Sequence, residues 1–294
     1  MSEWKGQSRF LGGSAAAGAL VALASCAAHT PAPTSLPAPP ARPRLVAVTP
    51  APPNGEREGL EWVKVEVPGL GVLKAAVARP QGQGPFSAII ILHGSHGFAQ
   101  EYVRLAEAMA RNGVVGVAAC WFSGGGGAGS RFITPIECPE APPISSASSP
   151  SAQRTIEALV QAVRTLPGVR ADRVALFGHS RGGGAVLQYI LGGGVVQAAV
   201  LNSAGYPQDL VPRAAELRVP LLMLHGISDS PSEGGSTFTD VGMARAFEAA
   251  LRRAGRLVEV AYYDGGHNSI FTSTAQYDDE VERIAGFLRR YLTN

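Results

Sequence analysis

The sequence predicts an α/β fold, a mostly parallel central sheet with helices on both faces, and three observations predict it. From residue 60 to the C-terminus, short apolar runs alternate with segments of helical period, the order that strand–helix–strand units produce. Several of those runs, FSAIIIL at 86–92 above all, are apolar without alternation, as expected of strands covered on both faces. Many glycines fall at the ends of the runs, where the chain must turn sharply.

The elements follow in order. EWVKVEV at 61–67 alternates polar and apolar residues, and a second short strand at 72–79 follows after a brief link, so the sheet opens with an antiparallel pair. The buried strand 86–92 ends at His93-Gly94. Helical period runs over 101–111 and stops at Asn112-Gly113. Strand 114–119, a long loop, helix 151–166 and strand 173–177 come next. Helix 181–191, strands 195–201 and 219–225, helix 241–254, strand 258–263 and a terminal helix over 277–292 complete the series. No internal repeat interrupts it.

Composition bounds the function. The chain has 294 residues, 46% apolar and 16% charged, with a formal net charge of +2, enough apolar content for one sizeable core. Its charges are mixed, and without a clustered basic face a nucleic-acid partner is not expected. The three cysteines include no CxxC pair or Cys/His cluster at zinc spacing, so a structural metal is not expected, and no cofactor is expected either.

Residues 1–25 have the layout of a secretory signal peptide. Lys5 and Arg9 precede a small-residue apolar stretch too short to span a bilayer comfortably. The stretch ends in Leu23-Ala24-Ser25-Cys26, which resembles the lipobox of bacterial lipoproteins. That resemblance implies lipidation of Cys26 and a protein of the bacterial periplasm or cell surface, touching membrane by its lipid anchor only. Residues 26–59, rich in Pro, Ala and Thr, then read as an extended linker, leaving 60–294 as the folded domain.

Chemistry concentrates at Gly178-His179-Ser180-Arg181-Gly182, a G-x-S-x-G placed directly between a strand and a helix. A serine on so sharp a turn needs small neighbours, and the turn lifts its hydroxyl above the sheet while aiming a helix N-terminus at the reacting centre. A glycine-rich turn with an incidental serine would not explain that placement. Here the chain resembles the α/β-hydrolase superfamily, and within it the dienelactone hydrolase-like branch. The likeness rests on HGSHG at His93, GHSRGG at Gly178, HGISD at His225 and GGH at Gly265. Dienelactone hydrolase itself uses a cysteine nucleophile, where this chain has Ser180, so a serine esterase is the activity implied. The string GHSRGG is also similar to that of plant chlorophyllases.

In this fold the triad runs Ser, then acid, then His along the chain. His267, in the loop after the last core strand, is the expected base; His225 closes an apolar strand and suits the turn better. Asp229 and Asp264 compete as the orienting acid, and the resemblance favours Asp229. The fold further implies an oxyanion hole from the backbone N–H groups of Arg181 and Ser95. His96, Trp121 and Phe122 are expected to line the substrate pocket, the last two because they stand at a strand's carboxyl end. Loop 121–150 is long enough for a lid, and Cys120 and Cys138 flank it as a candidate disulfide.

The implied function is hydrolysis of a small-molecule carboxylic ester through an acyl-enzyme. Rival readings are an acyltransferase or perhydrolase on the same triad, a prolyl-oligopeptidase-like peptidase, or an inactive surface binding lipoprotein. Substrate identity and oligomeric state are not legible.

Overall fold

Among the described residues, nine strands form one sheet in the order β1-β2-β3-β5-β4-β6-β7-β8-β9. The structure is a computed structural model that describes residues 44–47, 60–124, 131–143 and 146–292. The chain enters through antiparallel strands β1 (Arg44–Ala47), β2 (Leu60–Val67) and β3 (Gly71–Ala78). From β5 (Val115–Ala119) across β4 (Phe86–Leu92), β6 (Val169–His179), β7 (Ala198–Asn202), β8 (Leu221–Gly226) and β9 (Val258–Tyr263), all pairing is parallel.

The apolar runs become the centre of the sheet because helices cover them on both sides. Ile89, Ile90 and Ile91 of β4 have no exposed surface, and truncating such side chains typically costs about 2–5 kcal/mol. Helices α1 (Gln100–Arg111) and α6 (Thr274–Leu292) pack together on one face. Helices α2 (Pro150–Arg164) and α3 (Arg181–Leu191) pack together on the other, while α4 (Val241–Arg253) lies against β8 and β9. A one-turn helix, α5 (Ser269–Thr272), precedes α6.

Local sequence sets the helix starts. Ser149 caps α2 by accepting the Ala152 amide at 3.2 Å, with Pro150 in the first turn, and Ala152, Ile156, Leu159 and Val163 face inward at helical spacing. Asp240 caps α4 by accepting the Gly242 amide at 2.8 Å.

Two boundaries correct the sequence reading. Residues 44–47, expected within the linker 26–59, form β1, because an exposed β2 edge offers a ladder of unpaired backbone groups to any nearby extended segment. Strand β6 also begins four residues earlier than the apolar run at 173–177, extended through a polar, exposed start. The expected signal peptide at 1–25, and Cys26 with it, lies outside the described residues.

Consecutive connections leave β4 in opposite directions, toward β5 on one side and eventually β6 on the other. That reversal opens a crevice at the carboxyl ends of β4 and β6, the place where open α/β sheets bind ligands.

Candidate active site

The β6-to-α3 turn puts Ser180 into that crevice. Ser180 has φ 53° and ψ −117°, a conformation costly for any residue with a side chain and held here by surrounding contacts. Its amide donates to the Asn202 carbonyl at 2.9 Å, and its own carbonyl accepts the Gly184 amide at 3.0 Å. The flanking glycines are steric necessities: a Cβ on Gly178 would collide with the Gly182 backbone, and one on Gly182 would lie 2.5 Å from the Leu92 carbonyl oxygen.

Two further loops, after β8 and β9, converge on this serine. His267 Nε2 lies 2.8 Å from Ser180 Oγ, and His267 Nδ1 lies 2.8 Å from Asp229 Oδ2. Against a carboxylate oxygen, Nδ1 must carry the ring proton, which leaves Nε2 to accept from the serine hydroxyl. Ser180, Asp229 and His267 are all buried. Asp229 also accepts the Thr239 hydroxyl at 3.2 Å and has His225 Nε2 at 3.3 Å, while that same nitrogen donates to the Thr239 carbonyl at 2.7 Å. Burial lowers the pKa of His225 more than Asp229 raises it, so His225 braces the acid as a neutral ring. Gly235 completes the nest, since a Cβ there would collide with Asp229 Oδ1. Asp264 is exposed on the tight turn before His267.

On the opposite side of the cleft, the loop after β4 brings Ser95 beside Arg181. The Arg181 Nε donates to Ser95 Oγ at 3.0 Å, so the two residues whose amides were expected to work together are tied to each other. Arg181 opens α3, and first-turn amides of a helix lack intrahelical acceptors. His93 is wholly buried beneath this loop, with Nδ1 donating to the Gly94 carbonyl at 3.0 Å and burial holding its pKa down at about 3.

Ser180 and His267 open onto a cleft of about 830 Å³ lined also by Ser95, His96, Phe132, Gln188, Leu210 and Phe238. His96 lines this cleft. Trp121 and Phe122 do not: Trp121 is fully buried with its indole donating to the His93 carbonyl at 2.9 Å, and the Phe122 ring lies 4.4 Å from that of His93. They support the loop from below, because the chain after β5 folds back under it. The aromatic lining comes instead from Phe132, in the long loop, and from the half-exposed Phe238. Cys120 and Cys138, flanking that loop, have Cα atoms 6.5 Å apart and their sulfurs in bonding contact, a span that a disulfide can bridge.

A polar chain behind the elbow was missed from sequence. Asn202 Oδ1 accepts from His179 Nδ1 at 2.6 Å, Asn202 Nδ2 donates to Glu280 Oε2 at 2.7 Å, and Gln276 Nε2 donates to Glu280 Oε1 at 2.7 Å. Burial pushes the Glu280 carboxyl up to about 8. A signal was present: Glu280 falls in the apolar stripe of α6, between Tyr277 and Ile284. Among the described residues, no group of three or more His, Cys, Asp or Glu could hold a metal ion, and no helix is long and apolar enough to cross a membrane.

Solved structures share this fold. An esterase of Pyrococcus furiosus superposes with a TM-score of 0.61 at 15% identity, covering 79% of this chain and 93% of its own. A dienelactone hydrolase-like promiscuous phosphotriesterase from metagenomic libraries gives 0.61 at 14%, covering 79% and 98%. A thermophilic esterase from the planctomycete Thermogutta terrifontis gives 0.57 at 18%, covering 79% and 92%. A comparison with curated protein sequences finds no match. The sequence profile of the dienelactone hydrolase family, however, matches residues 73–286, from the third strand of the sheet into its last helix. The chain therefore belongs to the dienelactone hydrolase family.

Proposed function

We propose that this hydrolase cleaves carboxylic esters through a covalent acyl-enzyme, with Ser180 as nucleophile, His267 as base and Asp229 as orienting acid. The observation that carries the reading is the continuous hydrogen-bond chain from Ser180 Oγ through His267 to Asp229, both links 2.8 Å, at the mouth of a cleft. Ser180 Oγ attacks the ester carbonyl as its proton passes to His267 Nε2. The carbonyl π pair moves onto oxygen, where the Ser95 and Arg181 amides and the α3 N-terminus hold the developing charge without reorganising. Collapse breaks the acyl–alkoxy bond, and His267 returns the proton to the departing alcohol. Water, activated by the same histidine, then cleaves the acyl-serine. That two fold neighbours are esterases supports the ester as substrate class.

A fluorophosphonate probe should label Ser180, and Ser180→Ala should lose ester turnover by at least about 10³-fold while staying folded. Near-full nitrophenyl ester hydrolysis by the folded variant would sink the assignment.

We further propose that the protein is exported, anchored by a lipid on Cys26 and spaced from the membrane by the segment before β1, with Cys120 and Cys138 oxidised to a disulfide in that compartment. The lipobox-like Leu23-Ala24-Ser25-Cys26 and the closeness of the two sulfurs support this. Mass spectrometry of protein from its host should find an acyl mass at Cys26 and Cys120 linked to Cys138. An unmodified Cys26 rejects the anchor, and two free thiols reject the disulfide.

A further inference from the structure

The loop after β4 carries a second polar side chain beyond Ser95. His96 lies in an aromatic box, its ring centroid 5.5 Å from each of Phe132, Phe271 and His179. Its Nε2 is 2.6 Å from the Tyr102 hydroxyl, and that hydroxyl also accepts the Gly94 amide at 2.9 Å.

The tautomer of His96 follows from proton accounting. The Tyr102 side chain has no exposed surface, and its hydroxyl has one proton and, among the described residues, only those two partners. Gly94 N–H is a donor, so the phenol proton can go only to His96 Nε2. The opposite arrangement, Nε2–H donating to the phenol, would strand a buried hydroxyl proton without an acceptor, at a cost of about 1–3 kcal/mol. His96 therefore carries its own proton on Nδ1.

Among the described residues that Nδ1 has no hydrogen-bond partner, yet it is not one of their buried unpaired atoms, as His93 Nε2 and His225 Nδ1 are. It faces open space, and the open space the ring lines is the cleft shared with Ser180 and His267. The ring is close to the nucleophile: a single Cβ placed on Gly94 would lie 3.1 Å from Ser180 Cβ and 3.3 Å from His96 Cε1. Burial, with the neighbouring His267, lowers the His96 pKa to about 4, so this donor is neutral at ordinary pH and does not repel a protonated His267.

We propose that His96 is a catalytic residue for ester cleavage: its Nδ1–H, oriented by Tyr102 through Nε2, donates a hydrogen bond to the reacting ester and its tetrahedral intermediate. This rests on the ester-hydrolase reading above. The donor supplements the two backbone amides with a side chain fixed in one tautomer before substrate arrives. The phenol supplies the orientation, and Tyr102 acts through His96 as a positioning residue.

Two measurements test it, one independent of activity. In the substrate-free ¹⁵N-labelled protein, long-range proton–nitrogen correlation should show His96 as the Nδ1–H tautomer, and Tyr102→Phe should release that preference. An Nε2–H tautomer in the wild type overturns the proposal whatever the enzyme cleaves. In steady-state kinetics on nitrophenyl esters, His96→Phe keeps the aromatic packing and loses the donor, so kcat should fall about 10²-fold with little change in KM. His96→Asn, whose amide can reach near the Nδ1 position, should recover a substantial part of that loss. Unchanged kcat in folded His96→Phe, or equal losses in His96→Phe and His96→Asn, overturns the donor role. Fluorophosphonate labelling of wild-type Ser180 in parallel separates these outcomes from failure of the esterase reading itself, in which the wild type would be neither labelled nor active.

Discussion

Asp229 is the residue whose surroundings say most about its role. Its two oxygens face His267 Nδ1, the Thr239 hydroxyl and His225 Nε2, all within a pocket closed to water. Asp264, nearer to His267 in sequence, points outward. In the proposed mechanism an orienting acid must meet the imidazole nitrogen opposite Ser180, and among the described residues it is the loop after β8 that brings a carboxylate to His267 Nδ1. In Asp229→Asn, the amide can present an N–H to Nδ1 and favour the tautomer that puts a proton on Nε2, facing Ser180. Turnover should fall by about 10⁴. Asp264→Asn changes an exposed turn residue and should leave turnover near wild type. Greater damage from Asp264→Asn, with both variants folded, reverses the assignment.

At the scale of elements, what was legible in the sequence divides by the range of the interaction that decides it. The elbow was legible because strand, G-x-S-x-G and helix are contiguous, and the steric demand on Gly178 and Gly182 is local. Helix α4 was legible for the same reason, expected over 241–254 and found over Val241–Arg253. The strand before α3 was legible in its apolar half only, since its polar start is extended by pairing with β4 and not by its own composition. Trp121 and Phe122 show the limit more sharply. Their place at the carboxyl end of β5 put them near the site, but whether an aromatic lines a cleft or lies beneath it depends on how a distant loop folds back. Phe132, in that loop, took the lining role for which nothing in its neighbours' pattern called.

For the whole molecule, the cost of the site appears on the side of the sheet away from the substrate. Asn202 holds the elbow twice, through its carbonyl to the Ser180 amide and through its side chain to His179, and Glu280 in α6 holds Asn202 in turn. A carboxyl in that apolar interface stays protonated until the pH reaches about 8, whereas a freely exposed one ionises near 4.5. The sign of the consequence is fixed by linkage. Between those values the folded protein retains a proton that the unfolded chain has released, so stability falls as pH rises through the window. This contribution is fully present below the unfolded value and is spent once pH passes the folded one. One such group accounts for a slope of about 1.4 kcal/mol per pH unit while the two states differ by a whole proton. Glu280→Gln keeps a neutral side chain that can accept from Asn202 at every pH. Denaturant unfolding of both proteins from pH 5 to 8 should therefore show a shallower fall for the variant, with the gap moving in the variant's favour toward pH 8. Parallel curves would mean that Glu280 is ionised in the native interior, and that Asn202 and Gln276 alone suffice to carry its charge.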